Sequence, residues 1–391
     1  MPNDGHRMRF SKKLVFSLIL IFGGVAVSLA IGEVAARVRH HFGKKPEEAY
    51  LHRNCPNRMR RFGLRPGKKI MGYNDVEIHV NSLGFRGPEY SIEKKPGVRR
   101  ILILGDSVAF GLRRPEDVIF PTVLEKLLND GDGLNRYEVL NSAVSAYNSW
   151  NELGTLEDVG PLLRPDLVIL QTSMNDFAPS TYISATGMGA VSLNCGDYLP
   201  EPTMVMAIEE FLEKHSMLAA QLMHWHDQRL REKGIRKDYF LFYKDFYQQL
   251  FVGKITEPKL EKAWNGALEA IEKMCRKTTE LNARFLLVAF CEAYYLRYPE
   301  PPGGYSDQLR KIGRKHGFEC LYMHDELPKR MGEGTRLFID RAHLNSYGHL
   351  LVAEILRDHI FAHPELFSAK GEKRPAAGST EPPPPAASPA R

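Results

Sequence analysis

The sequence predicts an α/β fold: a doubly wound parallel sheet with helices on both faces, preceded by one membrane-spanning helix. Three observations support this prediction. Short apolar runs of strand length recur along the chain, segments with helical spacing of apolar residues separate them, and one long uncharged segment lies near the N-terminus. Strands that alternate with helices favour right-handed crossovers and therefore a parallel sheet.

Five apolar runs are the predicted strands. The first, Arg99-Arg-Ile-Leu-Ile-Leu, ends at Gly105 and is typical of a central parallel strand that is buried on both faces. The other four runs are Tyr137 to Asn141, Asp166 to Thr172, Arg284 to Phe290 and Phe318 to Met323. Helical spacing is clearest from Phe120 to Leu128 and from Trp264 to Ile271. Ligands of such sheets bind beyond the carboxyl ends of the strands, so the residues directly after each strand are the first candidates for chemistry.

The N-terminal segment predicts a membrane anchor. A basic tail, residues 1–13, precedes an uncharged run, residues 14–32. At about 1.5 Å of rise per residue this run covers about 28 Å, close to the hydrocarbon thickness of a bilayer. We favour an uncleaved signal anchor over a cleaved signal peptide, for which Ser28-x-Ala30 is a weak cleavage site. The basic flank favours a cytoplasmic N-terminus, with the rest of the chain in the periplasm or at the cell surface.

The remaining chain divides into three parts. Residues 33–97 are predicted to be a stalk and lead-in with one alternating strand, Val76 to Val80. Residues 98–365 form the predicted main domain. It holds an insertion at about 177–255, with a predicted helix from Met206 to Arg231, that could form a lid or binding wall. Residues 366–391, rich in Pro and Ala, are predicted to be disordered.

Charge and cysteine content bear on the classes of partner. The net charge of +6 is spread along the chain, and neither zinc-finger spacing nor an aromatic-basic RNA motif is found, so we predict no nucleic-acid partner. The five cysteines are widely spaced and odd in number. They predict neither a metal site nor a disulfide framework, although one pair could form outside the cytoplasm.

Three short segments carry polar side chains suited to catalysis. Gly105-Asp106-Ser107 follows the first strand and brings a hydroxyl and a backbone N–H to the carboxyl edge of the sheet, while Ser173-Met-Asn175-Asp176 follows the third. Asp340-Arg-Ala-His343 places a carboxylate three residues before an imidazole, where it can fix the tautomer and orientation of the ring. Each segment alone also reads as a helix cap or a turn. Together, in this order, they predict a nucleophilic serine site.

As a set, these segments resemble the motif blocks of the SGNH hydrolase family, also called GDSL-type esterases and lipases. The resemblance spans roughly residues 99–363, and Asn81 to Glu89 also looks like the lead-in of exported bacterial members. It implies Ser107 as the nucleophile, His343 as the base and Asp340 as the residue that orients the base.

The same resemblance implies an oxyanion hole and a specific fold. Its donors are the backbone N–H groups of Ser107 and Ala146 and the side chain of Asn175. Ala146 stands where the second block usually has glycine, and Ser173 stands where the third block usually has glycine. The implied fold is a flavodoxin-like three-layer α/β/α sandwich with strand order 2-1-3-4-5, and the family requires no metal and no other cofactor.

We therefore expect a serine ester hydrolase (an esterase, lipase or deacylase) that acts through an acyl-enzyme on an ester or acylated glycan outside the cytoplasm. Two alternatives stay open. An O-acyltransferase on an exported polysaccharide would use the same site, with a sugar hydroxyl in place of water and a partner that delivers the acyl group. In a non-catalytic binding module, Ala146 and Ser173 would mark decay of the site.

Overall fold

The computed structural model describes residues 12–43, 51–71, 76–130, 136–177, 181–183, 190–192, isolated positions between 208 and 229, 247–256, 258–332 and 334–367. It begins with helix α1, Lys12–Gly43. The stretch Val15–Arg39 of this helix is long and apolar enough to cross a membrane, with a mean hydropathy of 2.4. A signal sequence has the same properties. The predicted apolar helix of spanning length is thus confirmed, and it extends beyond residue 32.

The segment predicted as a stalk packs against the main domain. Strands β1, His52–Asn54, and β2, Phe62–Leu64, pair antiparallel, as do β3, Lys68–Met71, and β4, Glu77–Val80. The predicted strand at Val76 to Val80 is therefore present. The apolar side chains of β2 and β4 are buried in the same core cluster as the central sheet, so this part of residues 33–97 is not a free stalk.

The central sheet has five parallel strands. They are β5, Arg99–Leu104, β6, Tyr137–Asn141, β7, Leu167–Thr172, β10, Arg284–Ala289, and β11, Glu319–Tyr322, while β8, Thr181–Ile183, and β9, Ala190–Ser192, form a separate antiparallel pair. The spatial order is β11-β10-β7-β5-β6, with every neighbouring pair parallel. Counted along the chain within this sheet, that is the order 2-1-3-4-5. The predicted fold class and strand order are confirmed.

Helices cover both faces of the sheet. After α1 they are α2, Ser107–Phe110, α3, Phe120–Asn129, α4, Ser149–Leu163, α5, Pro258–Glu280, α6, Tyr305–His316, α7, Met323–Arg330, and α8, Ser346–Ala362. Short 3-10 turns cover Glu116–Val118, Met174–Phe177, Tyr295–Arg297 and Pro364–Phe367.

Two clusters of buried apolar side chains fill the space between the sheet and the helices on its two faces. Leu102 and Leu104 of β5 join the cluster under α4 and α5, whereas Ile101 and Ile103 join the cluster under α3 and α8. All four side chains are buried, and burial of such a side chain stabilises a fold by roughly 1.5–3 kcal/mol. The alternation of side chains along a strand therefore fills both faces of the sheet.

The position where the strand order reverses lies between β5 and β7. The chain leaves β5 for β6 at one edge, then crosses back over β5 to β7 and continues to β10 and β11. At such a reversal the connections after two neighbouring strands diverge and leave a crevice at the carboxyl edge. Ser107 follows β5 and Asn175 follows β7, so both lie at this crevice.

Several predictions fall partly or wholly outside the described residues. Most of the insertion at about 177–255 lies outside them, including much of the predicted helix from Met206 to Arg231, and so do Cys195 and the tail from residue 368. The other four cysteines are free thiols. Leu366, assigned to the predicted disordered tail, instead lies in a 3-10 turn and is buried, so the ordered chain extends slightly further than predicted.

Candidate active site

At the first position of the turn after β5, only glycine fits. A Cβ added at Gly105 would lie 2.6 Å from Oε1 of Gln171 and 2.9 Å from Cβ of Ala109. Asp106 then caps α2, because its carboxylate accepts a hydrogen bond of 2.8 Å from the N–H of Val108. The Asp-Ser pair is thus a helix cap as well as a candidate site. Helix α2 has only four residues and therefore a small dipole. A negatively charged oxygen beside Ser107 would be stabilised by the Ser107 N–H rather than by that dipole.

A buried glutamine joins this turn to the segment after β7. The side-chain carbonyl of Gln171 accepts hydrogen bonds from the N–H groups of Asp106, at 3.2 Å, and Ala109, at 3.0 Å. Its amide donates to Oγ of Ser173 at 2.8 Å. The serine that replaces the usual glycine therefore has a hydrogen-bonding role here. Gln171 was not predicted as a site residue, because its position inside an apolar strand gives no local indication that its side chain binds the turn.

A second missed residue holds the other end of α2. The guanidinium of Arg86, buried at 2% exposure, donates to the carbonyls of Phe110 at 2.7 Å, Gly111 at 2.9 Å and Arg114 at 2.5 Å. Burial lowers the pKa of Arg86 to about 10, which still leaves the group charged at neutral pH. Arg86 lies in the segment Asn81 to Glu89, which was noted in the sequence as a lead-in, but no role was predicted for this residue.

The loop before α8 carries Asp340 and His343. An isolated bridge between Phe338 and Leu344 closes this loop, and the N–H of Ile339 donates to the carbonyl of His343 at 2.9 Å. Oδ1 of Asp340 accepts hydrogen bonds from the N–H groups of Ala342 at 3.0 Å and His343 at 2.9 Å. These hydrogen bonds hold the turn that brings the Asp340 carboxylate to the His343 ring.

Hydrogen bonds join Ser107 to His343 and His343 to Asp340. Nε2 of His343 is 2.8 Å from Oγ of Ser107, and Nδ1 of the same ring is 2.9 Å from Oδ1 and 2.8 Å from Oδ2 of Asp340. Because a carboxylate only accepts, Nδ1 carries the proton and Nε2 accepts from the serine hydroxyl. Residues 236 positions apart are thus joined at the edge of the sheet.

Charge at Asp340 is favoured in this arrangement. Burial opposes ionisation, but the two backbone N–H groups and the His343 side chain outweigh it and lower the pKa of Asp340. Nη1 of Arg113 also lies 3.5 Å from Oδ2 of Asp340. An ionised carboxylate at this position can stabilise a positive charge on the His343 ring.

The two remaining predicted site residues have distinctive local conformations. Ala146 has φ 70°, in the left-handed region that favours glycine. A residue other than glycine there costs about 1 kcal/mol or more. The side-chain amide of Asn175 lies near the carboxylate of Asp106 and favours its charged form, which places the amide beside the turn that carries Ser107.

Three buried carboxyl groups lie behind this turn. Asp106, Glu152 and Asp176 are at most 1% exposed. Burial raises the pKa of each, and repulsion from neighbouring carboxylates raises that of Glu152 and Asp176 well above the usual range. The hydrogen bond from the Val108 N–H and the nearby Asn175 amide favour the charged form of Asp106. Asp176 accepts a hydrogen bond from the N–H of Ser173 at 2.5 Å. Burial and the nearby carboxylates therefore disfavour a negative charge on Glu152 and Asp176.

Glu292 is a further carboxyl group beside the Asp340 loop. Its Oε1 lies 3.7 Å from Nε of Arg341. Burial raises the pKa of Glu292 to about 7, against the attraction of Arg341. In the unfolded chain this group titrates near 4.5. Between these two values the folded chain keeps a proton that the unfolded chain has lost, so stability falls as pH rises through this window.

Glu292→Gln is therefore expected to reduce the loss of stability between about pH 5 and pH 8 by about 2 kcal/mol. The reason is that glutamine cannot ionise in this partly buried position. Urea unfolding of the full-length chain in detergent, at both pH values, measures the change. Glu280→Gln, at an exposed glutamate on α5, is the matched control and should leave the pH dependence unaltered. An equal slope in wild type and Glu292→Gln would contradict the assignment.

Two other features bear on what the site can hold. Nδ1 of His349 accepts from the N–H of Phe120 at 3.2 Å, and burial lowers the pKa of His349 to about 3, so this histidine is a neutral structural group. Within the described ranges, the three-residue cluster with metal-ligating atoms in reach of one another is Glu319, His359 and His363. It does not include Ser107, Asp340 or His343.

No protein-family model and no curated protein matches the sequence. Among solved structures, the chain is similar to TesA, at 13% identity over 69% of this chain and 100% of that chain, with a TM-score of 0.37. It is also similar to an alpha/beta hydrolase from the metagenome of Lake Arreo, Spain, at 14% identity over 69% and 97%, with a TM-score of 0.38. A catalytic mutant of the acetylxylan esterase Axe2 from Geobacillus stearothermophilus has 13% identity over 68% and 96%, with a TM-score of 0.39. At these identities the likeness concerns the fold, and the role of each site residue is argued from this chain's own geometry.

Proposed function

We propose that the chain is a serine ester hydrolase of the SGNH type, with Ser107 as nucleophile, His343 as base and Asp340 as the orienting residue. One observation carries the proposal: Nε2 of His343 lies 2.8 Å from Oγ of Ser107 while Asp340 binds the opposite nitrogen of the ring. A base within hydrogen-bond reach of a hydroxyl, itself oriented by a third group, is the geometry that activates a serine.

The first half-reaction forms an acyl-enzyme. Oγ of Ser107 attacks the ester carbonyl carbon as its proton passes to Nε2 of His343, and Asp340 stabilises the resulting imidazolium. The tetrahedral intermediate then collapses, the bond to the alcohol oxygen breaks, and His343 gives its proton to the leaving alcohol. The acyl group remains on Oγ, and the histidine is neutral again.

The second half-reaction regenerates the serine. His343 takes a proton from water, the hydroxide attacks the acyl carbon, and the proton returns to Oγ of Ser107 as the acid leaves. Both halves use the protein's own groups and need no cofactor. Ser107 and His343 therefore each act twice per turnover, which is the reason that either loss should be severe.

The oxyanion would be held by Ser107 N–H, Ala146 N–H and the Asn175 amide. The left-handed φ of Ala146 supports this assignment, because it gives the backbone the conformation for which the family's glycine is suited. The position of the Asn175 amide near the carboxylate of Asp106 supports it as well, since Asp106 directly precedes Ser107 in the chain. Each such donor is worth roughly 3 kcal/mol of transition-state stabilisation.

We propose an ester or O-acylated glycan as the substrate, outside the cytoplasm, with α1 as the membrane anchor. The apolar stretch of α1 and the basic residues before it support this location. Fractionation of cells that make the full-length chain tests it, and protease accessibility from the outside tests the orientation. Recovery of the chain in the soluble cytoplasmic fraction would rule the anchor out.

The function itself is tested by a series of esters of increasing acyl length, assayed with the full-length chain in detergent. Release of acid and alcohol in equal amounts supports hydrolysis. If an added oligosaccharide took up the acyl group and acid release fell in proportion, the activity would be an acyl transfer instead. Ligand binding without turnover of any ester would indicate a binding module.

Asn175→Ala is expected to lower kcat by about two to three orders of magnitude with little change in KM. The amide is needed mainly when the carbonyl oxygen gains charge, so its loss raises the barrier more than it weakens the ground-state complex. The matched control is Asn129→Ala. Asn129, the last residue of α3, bonds to the backbone of Tyr137 at the start of β6, and its loss should affect stability only. An unaffected kcat in Asn175→Ala would remove this residue from the oxyanion hole.

A further inference from the structure

A cluster of potential metal ligands lies at the end of the last helix. His359 lies in the last turn of α8, and His363 is the C-cap residue directly after the helix. The centroids of the two rings are 4.4 Å apart. Glu319, the first residue of β11, faces both. Nε2 of His359 is 2.9 Å from Oε2 of Glu319, and Nδ1 of His363 is 3.7 Å from Oε1. Each carboxylate oxygen thus faces a different imidazole.

These distances suit a shared cation better than an ion pair alone. Zinc binds histidine nitrogen at about 2.0–2.1 Å and carboxylate oxygen at about 2.0–2.2 Å, so tetrahedral ligand atoms stand about 3.3–3.5 Å apart. The observed separations of 2.9 and 3.7 Å lie on either side of that value, and the three ligand atoms are all within 4.8 Å of one another. His359 and His363 therefore both lie within reach of one carboxylate, as two ligands of a single ion would.

The surroundings also favour a divalent cation. Oε1 of Glu365 lies 3.3 Å from Nδ1 of His363, so a second carboxylate stands beside the cluster. The side chains of His359 and Glu319 are 18% and 42% exposed, which leaves a path for an ion and room for water at the remaining position. Two imidazoles and one carboxylate form a ligand set that zinc takes in proteins, with water as the fourth ligand.

We propose that Glu319, His359 and His363 bind a divalent zinc ion that ties the edge strand β11 to α8. The role is structural, because Glu319 begins a parallel strand and so lies at the amino edge of the sheet, whereas Ser107 follows the carboxyl end of β5. The ion fastens the far end of the helix whose first turn directly follows the His343 loop. The site was not predicted, because Glu319 lies 40 positions before His359 and two histidines four residues apart are not by themselves a metal motif.

The proposal is tested by zinc binding to the untagged full-length chain in detergent, after bound metal has been removed with a chelator. Competition with a chromophoric chelator measures the affinity and the number of ions bound. We expect one ion per chain with a Kd on the order of 1 μM or lower. His359→Ala and Glu319→Gln should each weaken binding by about 100-fold or more. Cobalt in place of zinc should give the visible spectrum of a tetrahedral site without thiolate charge-transfer bands, which excludes the cysteines as ligands.

His316→Ala is the matched control. Nε2 of His316 lies 3.1 Å from Oε1 of Glu272, which gives the same pair of residue types outside the metal-ligating cluster, and its loss should leave zinc binding unchanged. Zinc should also raise the Tm of the wild type and of His316→Ala, but not of His359→Ala. A stoichiometry far below one zinc ion per chain would overturn the proposal. Equal zinc affinity in the wild type and both cluster variants would overturn it as well. None of these readouts depends on ester turnover.

Discussion

Ser107→Ala is expected to lower kcat for ester hydrolysis by about four to six orders of magnitude, to the level that binding and the oxyanion hole supply without a nucleophile. The substitution removes the atom that forms the acyl-enzyme. It removes one hydrogen bond, the one to Nε2 of His343, and leaves the cap of α2 by Asp106 intact. The fold should therefore persist while turnover is lost.

Labelling with a serine-directed probe and a matched control variant test the assignment of the nucleophile. A fluorophosphonate probe, which releases fluoride as its phosphorus bonds to an activated serine, should label the wild type and not Ser107→Ala. Ser346→Ala is the matched control, an exposed serine at the start of α8 three residues after His343, and it should keep both labelling and kcat. Near wild-type turnover in Ser107→Ala would mean that another residue attacks the substrate.

Arg86→Leu is expected to lower the free energy of unfolding by about 3–5 kcal/mol and to reduce activity with it. The buried guanidinium donates to three backbone carbonyls around the end of α2 and lies 4.8 Å from the centre of the Phe110 ring. Leucine leaves those carbonyls without their donor, and each unsatisfied buried acceptor costs about 1–3 kcal/mol. Because α2 begins at Ser107, its displacement would also move the nucleophile.

The stability loss is measured by urea unfolding, and kcat is compared under conditions where the variant is still folded. Arg99→Ala is the matched control. Its guanidinium lies over the rings of Tyr137 and Phe367 at the surface, so its loss should cost less than about 1 kcal/mol. If Arg86→Leu were as stable as the control, the three hydrogen bonds from Arg86 to the backbone around the end of α2 would contribute little to the stability of the fold.

The strands and the three hydrogen-bonded site residues were predictable for related reasons. Buried parallel strands are continuous apolar runs, and all five predicted runs are strands to within a residue or two at each end. Parallel strands bring their carboxyl ends to one edge, so Gly105-Asp106-Ser107 and Ser173 to Asp176 had to be neighbours. Asp340 and His343 depend on a local turn, which a three-residue spacing makes readable.

The unpredicted parts depend on long-range packing. Helix α4 contains Gly154, Gly160 and Pro161, which weaken its helical signal. A Cβ at Gly154 would lie 2.3 Å from the backbone nitrogen of Arg60, so that glycine is explained by a segment almost a hundred residues away. Likewise Arg86 and Gln171 bind backbone groups more than 20 and 60 positions distant. No periodicity marks such contacts.

The buried carboxyl groups behind the nucleophile have a consequence for the field that the reaction would experience. In the proposed mechanism a full negative charge develops on the substrate oxygen beside Asn175, which is next to Asp176 in the chain. Two unit charges about 8 Å apart at an effective dielectric constant of about 20 repel each other by about 2 kcal/mol, which is about a 30-fold loss of rate. A carboxyl group that holds its proton presents only a weak dipole. The burial that disfavours ionisation of Glu152 and Asp176 therefore reduces the negative charge that the protein's core places near the transition state, and Asp106 remains the main source of it.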